Sequence, residues 1–247
     1  RPMTIWNPWH GCHKFSPGCK NCYVFRRDAE FGKDSNIIKL TKQFDLPIKK
    51  DRRGAWKISP ADGVVYTCMT SDLFIEEADE WRPGVWDIIR LRSDLDFAII
   101  TKRIHRFSEC VPPDWGDGWE NVTIFSTCED QTAANRRLPI LTSAPIRHRA
   151  VICEPMLGRI DISEALSTGL IESVTCGGES GDGARECDFA WILYMMEQCA
   201  EHDVAFHFKQ TGANFRKGDK VYHIPRSEQM RQAALAGVDH VPGREPR

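Results

Sequence analysis

The sequence predicts an α/β fold, a partial (β/α)6-type parallel barrel. It reads as a single domain over residues 1–225 with a basic insertion at 33–62, followed by a C-terminal helix and tail at 226–247. Three observations lead there. Short apolar runs rich in Val, Ile, Phe and Thr begin at residues 64, 97, 122, 150, 173 and 204. The runs are continuous rather than alternating, as parallel strands covered on both faces require. Their spacing of about 23 to 33 residues leaves room for one strand and one crossover helix each. An open doubly wound sheet is the competing arrangement.

In chain order, Thr4-Ile5-Trp6 supplies a first strand, and the strands Val64–Cys68 and Phe97–Thr101 flank a helical pattern around Val85–Leu91. The strand Val122–Ser126 precedes a helix from Gln131 to Leu141, which the missing N–H of Pro139 is expected to interrupt. After the strands Ala150–Cys153 and Ser173–Cys176, the residues Phe189, Ile192, Leu193, Met196, Cys199 and Ala200 fall on one helical face, with Asp188 placed to cap it. Val204–Phe208 is the last strand, and from Arg226 onward the chain reads as a short helix followed by disorder.

Composition narrows the function classes. With 41% hydrophobic and 28% charged residues and a formal net charge of −2, the 247-residue chain is neither disordered nor fibrous, and it is not an indiscriminate polyanion binder. No apolar run approaches the roughly 18 to 20 residues that span a bilayer, and the opening Arg1-Pro2-Met3-Thr4-Ile5-Trp6 lacks the pattern of a signal peptide. A cytoplasmic protein without a membrane partner is expected.

Ten cysteines then need an account other than a disulfide framework, which belongs to small secreted domains. Seven are dispersed, several inside strand runs, where a thiol serves as a small buried hydrophobe. Cys12, Cys19 and Cys22 instead share one loop after the first strand, and Gly11, Pro17 and Gly18 let it turn tightly. Three thiolates fit either a zinc site completed by His10 or His13, or an iron–sulfur cluster with one iron left open. At the C-terminal mouth of a parallel barrel, where chemistry is placed, an open-iron 4Fe-4S cluster suggests S-adenosylmethionine as the second cofactor. The other strands also hand over to polar groups at that end: Thr70-Ser71-Asp72, Lys102-Arg103, Cys128-Glu129-Asp130, Glu154, Gly177-Gly178-Glu179-Ser180 and Lys209-Gln210.

The cysteine loop resembles that of the radical-SAM superfamily, although its spacing of six then two residues differs from the usual three then two. The ordered motifs Asn-Pro-Trp-x-Gly-Cys, Ser-Pro-Gly-Cys-x-x-Cys-Tyr, Ser-Asp-Leu-Phe, Thr-Lys-Arg, Glu-Pro-Met-Leu-Gly-x-Ile-Asp, Gly-Gly-Glu-Ser-Gly and Phe-Lys-Gln resemble a phage and prophage family with a three-cysteine motif and no assigned function. The likeness covers about Trp6 to Gly212. It implies that Cys12, Cys19 and Cys22 hold the cluster, that Tyr23 lies near the adenine, and that a flavodoxin- or ferredoxin-like protein donates the electron. It also implies a host-cytoplasm location for a phage-encoded protein.

Superfamily members hold the methionine amino group with a polar motif after the second strand. Here that place belongs to Ser71 and Asp72, while the Gly-Gly-Glu ending at Glu179 comes late and becomes a substrate or ribose contact. Ser126 and Glu129 suit ribose hydroxyls, and Arg136 or Arg137 a methionine carboxylate. The plainer roles are a helix cap for Asp72, a first-turn acid for Glu129 and a solvated face for Arg136. Lys102, Arg103, Glu154, Lys209 and Gln210 form a substrate-facing ring. Cys128, Cys153 and Cys176 are candidate hydrogen donors to a product radical, as a cysteine is in spore photoproduct lyase.

Between Lys33 and Lys57 stand eight basic residues against three acids, with Phe44 and Trp56 among them. That pattern suits a phosphate backbone and stacked bases, or a solvated loop. The expected substrate class is a nucleoside or nucleic-acid base, as in DNA modification or repair. The alternative is a zinc- or cluster-binding nucleic-acid module without radical catalysis.

Overall fold

The computed structural model describes residues 3–243. Seven strands follow the order β1-β4-β5-β6-β7-β8-β10, where β1 is Met3–Trp6, β4 Val64–Thr67, β5 Phe97–Thr101, β6 Val122–Thr127, β7 His148–Cys153, β8 Ile171–Gly177 and β10 Ala205–Gln210. These are the seven runs predicted as strands. A two-stranded pair joins β2 (Trp9–His10) to β3 (Lys39–Leu40), and a three-stranded sheet places β11 (Asn214–Lys217) between β9 (Glu186–Asp188) and β12 (Lys220–His223). Helices α1 to α7 are Tyr23–Glu30, Arg82–Leu91, Phe107–Cys110, Gln131–Ser143, Ser163–Ser167, Phe189–Glu201 and Arg226–Ala236. No helix among the described residues is long and apolar enough to cross a membrane.

The chain forms two compact units. Among the described residues the first comprises 3–14, 24–125 and 144–148, and the second 15–23, 126–143 and 149–243. In the first, β1 and β5 lie parallel on either side of β4, with Met3 opposite Val64 and Val65 opposite Phe97. Trp6, Val65, Leu73, Phe74, Ile89 and Ile99 fill its core without solvent contact. Trp86, Trp115 and Phe107 extend that core as edge-on aromatic pairs 5.4 to 5.7 Å apart.

In the second unit β7 and β10 flank β8 in parallel, with Cys153 opposite Cys176 and Phe208 opposite Cys176 on the other side. Helix α6 begins as predicted, because Asp188 accepts a hydrogen bond from the Ala190 amide at 2.9 Å and so satisfies a first-turn N–H. Its buried face is Ile192, Met195, Gln198 and Cys199, so the expected stripe through Met196 and Ala200 is rotated, and Ala200 is exposed. Gln198 explains the rotation: its side chain is buried to bond the Ile160 carbonyl and the Ile162 amide, at 3.0 and 2.7 Å.

Two further expectations are corrected. Helix α4 runs through Pro139 to Ser143, because Pro139, Asn135 and Arg136 are all exposed and the bond the proline removes falls on the solvent side. The segment after α7 is ordered as far as Gly243. Phe206 and His240 exchange backbone bonds of 2.9 and 3.0 Å, and Asp239 accepts from the Phe208 amide at 2.8 Å. The final part of the expected disorder, residues 244–247, lies outside the described residues.

Candidate functional site

In the first unit the chain leaves β1 and turns at Gly11, whose φ of +100° brings its α-carbon against the carbonyls of Ser35 and Ile37; a Cβ there would sit 2.6 Å from the Ile37 oxygen. The Cys12 amide donates to the Ser35 carbonyl at 2.7 Å, and the Ser71 hydroxyl to the Gly11 carbonyl at 2.5 Å. Cys12 is thereby fixed beside the turn that follows β4.

Asp72 is buried behind that turn. Its carboxylate accepts from the Phe74 amide at 3.0 Å, the Thr101 hydroxyl at 2.7 Å and the Lys102 amide at 3.0 Å, with the Arg103 guanidinium at 3.4 Å. It caps its own turn and ties the end of β4 to the end of β5, the structural role weighed against cofactor binding. Arg103 is buried too. It reaches from Asp72 to the His13 carbonyl at 3.1 Å and to the Cys12 sulfur at 3.8 Å. Burial opposes its charge, but Asp72 and Cys12 more than offset this and raise its pKa. The Lys102 side chain is half-buried.

Both histidines weighed as a fourth ligand already face carboxylates. His10 Nε2 lies 2.8 Å from Asp28, which also accepts from the Ser35 hydroxyl at 2.5 Å, and His13 Nε2 lies 2.5 Å from Glu77.

In the second unit Cys19 closes a short turn, its amide donating to the Ser16 carbonyl at 2.8 Å, and the Cys22 amide donates to the Cys19 carbonyl at 3.3 Å. Gly18 leaves space for Glu129, whose side-chain carbons are 3.1 Å from the position a Cβ would take. Glu129 is fully buried and paired with Arg137 at 2.7 Å, and Arg137 also holds the Thr127 carbonyl at 2.6 Å. Arg136 faces solvent. The ribose reading of Glu129 therefore meets a carboxylate already committed to a guanidinium, and Arg137 is the buried arginine of the pair weighed. Ser126 is buried, and Tyr23 is half exposed at the start of α1.

Glu179 is likewise committed. Arg185 clasps it, and Asn21 donates both to it and to the Gly183 carbonyl at 2.9 Å. Burial alone would raise its pKa, but the bonds from Arg185 and Asn21 win and hold the carboxyl below its usual range. Gly178 must be glycine, because a Cβ would lie 2.2 Å from the Thr211 carbonyl oxygen. Beyond it, Lys209 pairs with Glu154 at 2.7 Å and Gln210 donates to the same carboxylate. Nothing in the sequence signals Arg185 or Asn21, since both act through contacts distant in the chain.

The ten thiols divide by exposure. Cys12, Cys19 and Cys22 are partly exposed, and the other seven are buried. Cys128, Cys153 and Cys176 are entirely inaccessible free thiols, with Cys153 and Cys176 sharing a side-chain hydrogen bond and Cys199 close by. Burial pushes Cys128 and Cys176 well above the ordinary thiol range.

Among the described residues no group of three or more His, Cys, Asp and Glu side chains is placed so that it could hold a metal ion, and Cys12, Cys19 and Cys22 are no exception. The fit to an iron–sulfur cluster is one of donor chemistry and access: three reachable soft thiols, while every other thiol is sequestered.

No curated protein and no solved structure matches the chain. A family described as a protein of unknown function, DUF5131, has a model that matches residues 3–241, so the chain belongs to that family.

Proposed function

We propose that the protein is a radical-SAM enzyme whose Cys12, Cys19 and Cys22 hold a 4Fe-4S cluster, on a partial parallel barrel of that superfamily's kind. The observation that carries the reading is the division of the thiols: the three cysteines of the Cys-x6-Cys-x2-Cys loop are the three that solvent reaches. When bound, the cluster and S-adenosylmethionine supply a 5′-deoxyadenosyl radical, with the electron coming from a flavodoxin- or ferredoxin-like donor.

The chain's own residues divide the remaining work. Asp72 and Arg103 position the Cys12 turn, and Glu129 with Arg137, and Glu179 with Arg185, position the Cys19–Cys22 turn. Glu154, its oxygens occupied by Lys209 and Gln210, offers a polar substrate an exchangeable set of bonds. Tyr23 and Lys102, partly exposed, are the cofactor- and substrate-facing candidates. The substrate class in this reading is a nucleoside or nucleic-acid base.

The test is anaerobic reconstitution with iron and sulfide, then electron paramagnetic resonance of the reduced protein with and without S-adenosylmethionine. A cluster signal that changes on adding the cofactor, followed by release of 5′-deoxyadenosine, is the expected result. Stoichiometric zinc without iron, or a cluster signal indifferent to the cofactor, overturns it.

A further inference from the structure

The basic insertion carries a small built arm. The Lys57 amide donates to the Lys49 carbonyl at 2.9 Å, Lys50 and Trp56 form an antiparallel bridge, and the Asp51 amide donates to the Ala55 carbonyl at 2.8 Å. Residues 49–57 are therefore a hairpin. Asp51 closes its tip by accepting from the Arg53 and Ala55 amides at 2.8 and 3.0 Å. The base is stapled on both sides by Arg92, a buried side chain that donates to the Pro47 carbonyl and, at 2.8 Å, to the Ile58 carbonyl. Asp94 holds that guanidinium by two bonds of 2.8 Å, and the Trp56 ring centroid lies 5.0 Å from it.

The hairpin contains five cations and one acid. Asp51 is spent on the turn, and Lys49 is paired with Asp45 at 2.8 Å. Lys50, Arg52, Arg53 and Lys57 are all exposed and make no ion pair among the described residues. Trp56 is 38% exposed beside them, with the Lys50 ammonium 4.6 Å from its ring centroid. Four like charges held together on an anchored hairpin repel one another and raise a local positive potential that attracts a polyanion. The whole chain carries −2, so this positive field is local. Trp56 adds a π-face on which a base can stack. The hairpin has no apolar face to insert into lipid, and a duplex keeps its base faces covered.

We propose that hairpin 49–57 is a docking arm for single-stranded nucleic acid, with Lys50, Arg52, Arg53 and Lys57 on successive phosphates and Trp56 against a base. It gives the substrate class of the preceding section a surface, yet it rests on the hairpin alone and is measured without any cluster.

The test is fluorescence anisotropy of a short labelled polythymidine strand titrated with the full-length, cluster-free protein across a salt series. Four phosphate contacts on a single strand predict a log–log salt slope of about −3. Reversing two exposed tip charges, with Arg52→Glu and Arg53→Glu together, should weaken binding about tenfold or more and flatten the slope while thermal unfolding stays unchanged. Trp56→Ala should weaken it roughly five- to 150-fold, and Trp56→Phe should restore most of the loss. Absent binding at low salt, indifference to the charge reversal, equal affinity for duplex, or capture by phosphatidylserine vesicles but not by the strand would each overturn the proposal. Because no cluster is present, none of these outcomes bears on the radical-SAM reading.

Discussion

Arg185 grips Glu179 through two parallel bonds, Nη2 to Oε1 at 2.5 Å and Nε to Oε2 at 2.9 Å, and sends its remaining Nη1 to the carbonyl of Pro17 at 2.9 Å. One guanidinium thus spans the end of β8 and the turn that carries Cys19. Arg185→Ala should leave Glu179 buried without its cation, at a cost of about 3 kcal/mol. Hydrogen exchange at the Cys19 and Cys22 amides should accelerate with it. Arg185→Lys, which cannot make both parallel bonds, should fall between the two. Unchanged protection of those amides in Arg185→Ala would show that the clasp does not position the turn.

The same carboxylate makes stability depend on acid. Glu179 has a folded pKa below its ordinary value of 4.5, because the bonds from Arg185 and Asn21 outweigh its burial. A depressed carboxyl contributes stability that is present above the unfolded pKa and lost as pH falls through the folded one. Urea midpoints should therefore separate wild type from Glu179→Gln most widely near neutrality, and the gap should close below about pH 4. A gap that stays constant into acid would mean that Glu179 acts by shape alone.

The sequence made the strands legible because their apolar runs are unbroken, and in β7 both faces are covered, with Val151, Ile152 and Cys153 all buried. The expected two-sided cover fails at β1 and β10, at the ends of the strand order, where Ile5 and His207 are exposed. It also marked the α6 cap, since Asp188 acts on a neighbour two residues on. The partners of the acidic residues were invisible. Asp72 meets Thr101 across 29 residues and Asn21 meets Glu179 across 158, contacts that tertiary packing creates and local pattern does not encode. Read one at a time, Asp72, Glu129 and Glu179 look like ligand-binding acids at strand ends. In the fold each is spent on holding a turn. The sheet of β9, β11 and β12 was missed because its strands have only three or four residues and several exposed positions.

Thiol chemistry should reproduce the division by exposure. In the native, metal-free protein, Cys12, Cys19 and Cys22 should alkylate quickly, and the other seven only after unfolding. Burial removes access from those seven. It also suppresses the thiolate in several, pushing Cys110 up to about 11 and Cys187 and Cys199 up to about 12. Peptide mapping after timed iodoacetamide treatment reads this directly. Rapid labelling of Cys153 or Cys176 would reopen their candidacy as hydrogen donors, because it would show that small molecules reach them.

Arg103 and Cys12 make the last prediction. The guanidinium is held by Asp72 and the His13 carbonyl, and its Nη1 lies 3.8 Å from the Cys12 sulfur. If Cys12 ligates a cluster, a cationic N–H beside that sulfur favours the reduced, more negative form, since hydrogen bonds to ligand sulfurs raise reduction potentials. Arg103→Gln should therefore shift the cluster midpoint to more negative potential. Arg103→Lys, which keeps a charge for Asp72, should shift it less. Redox titration followed by electron paramagnetic resonance measures this without substrate. An unchanged midpoint in Arg103→Gln would show that the contact with Cys12 is not made in the loaded protein, and would leave Arg103 as a partner of Asp72 alone.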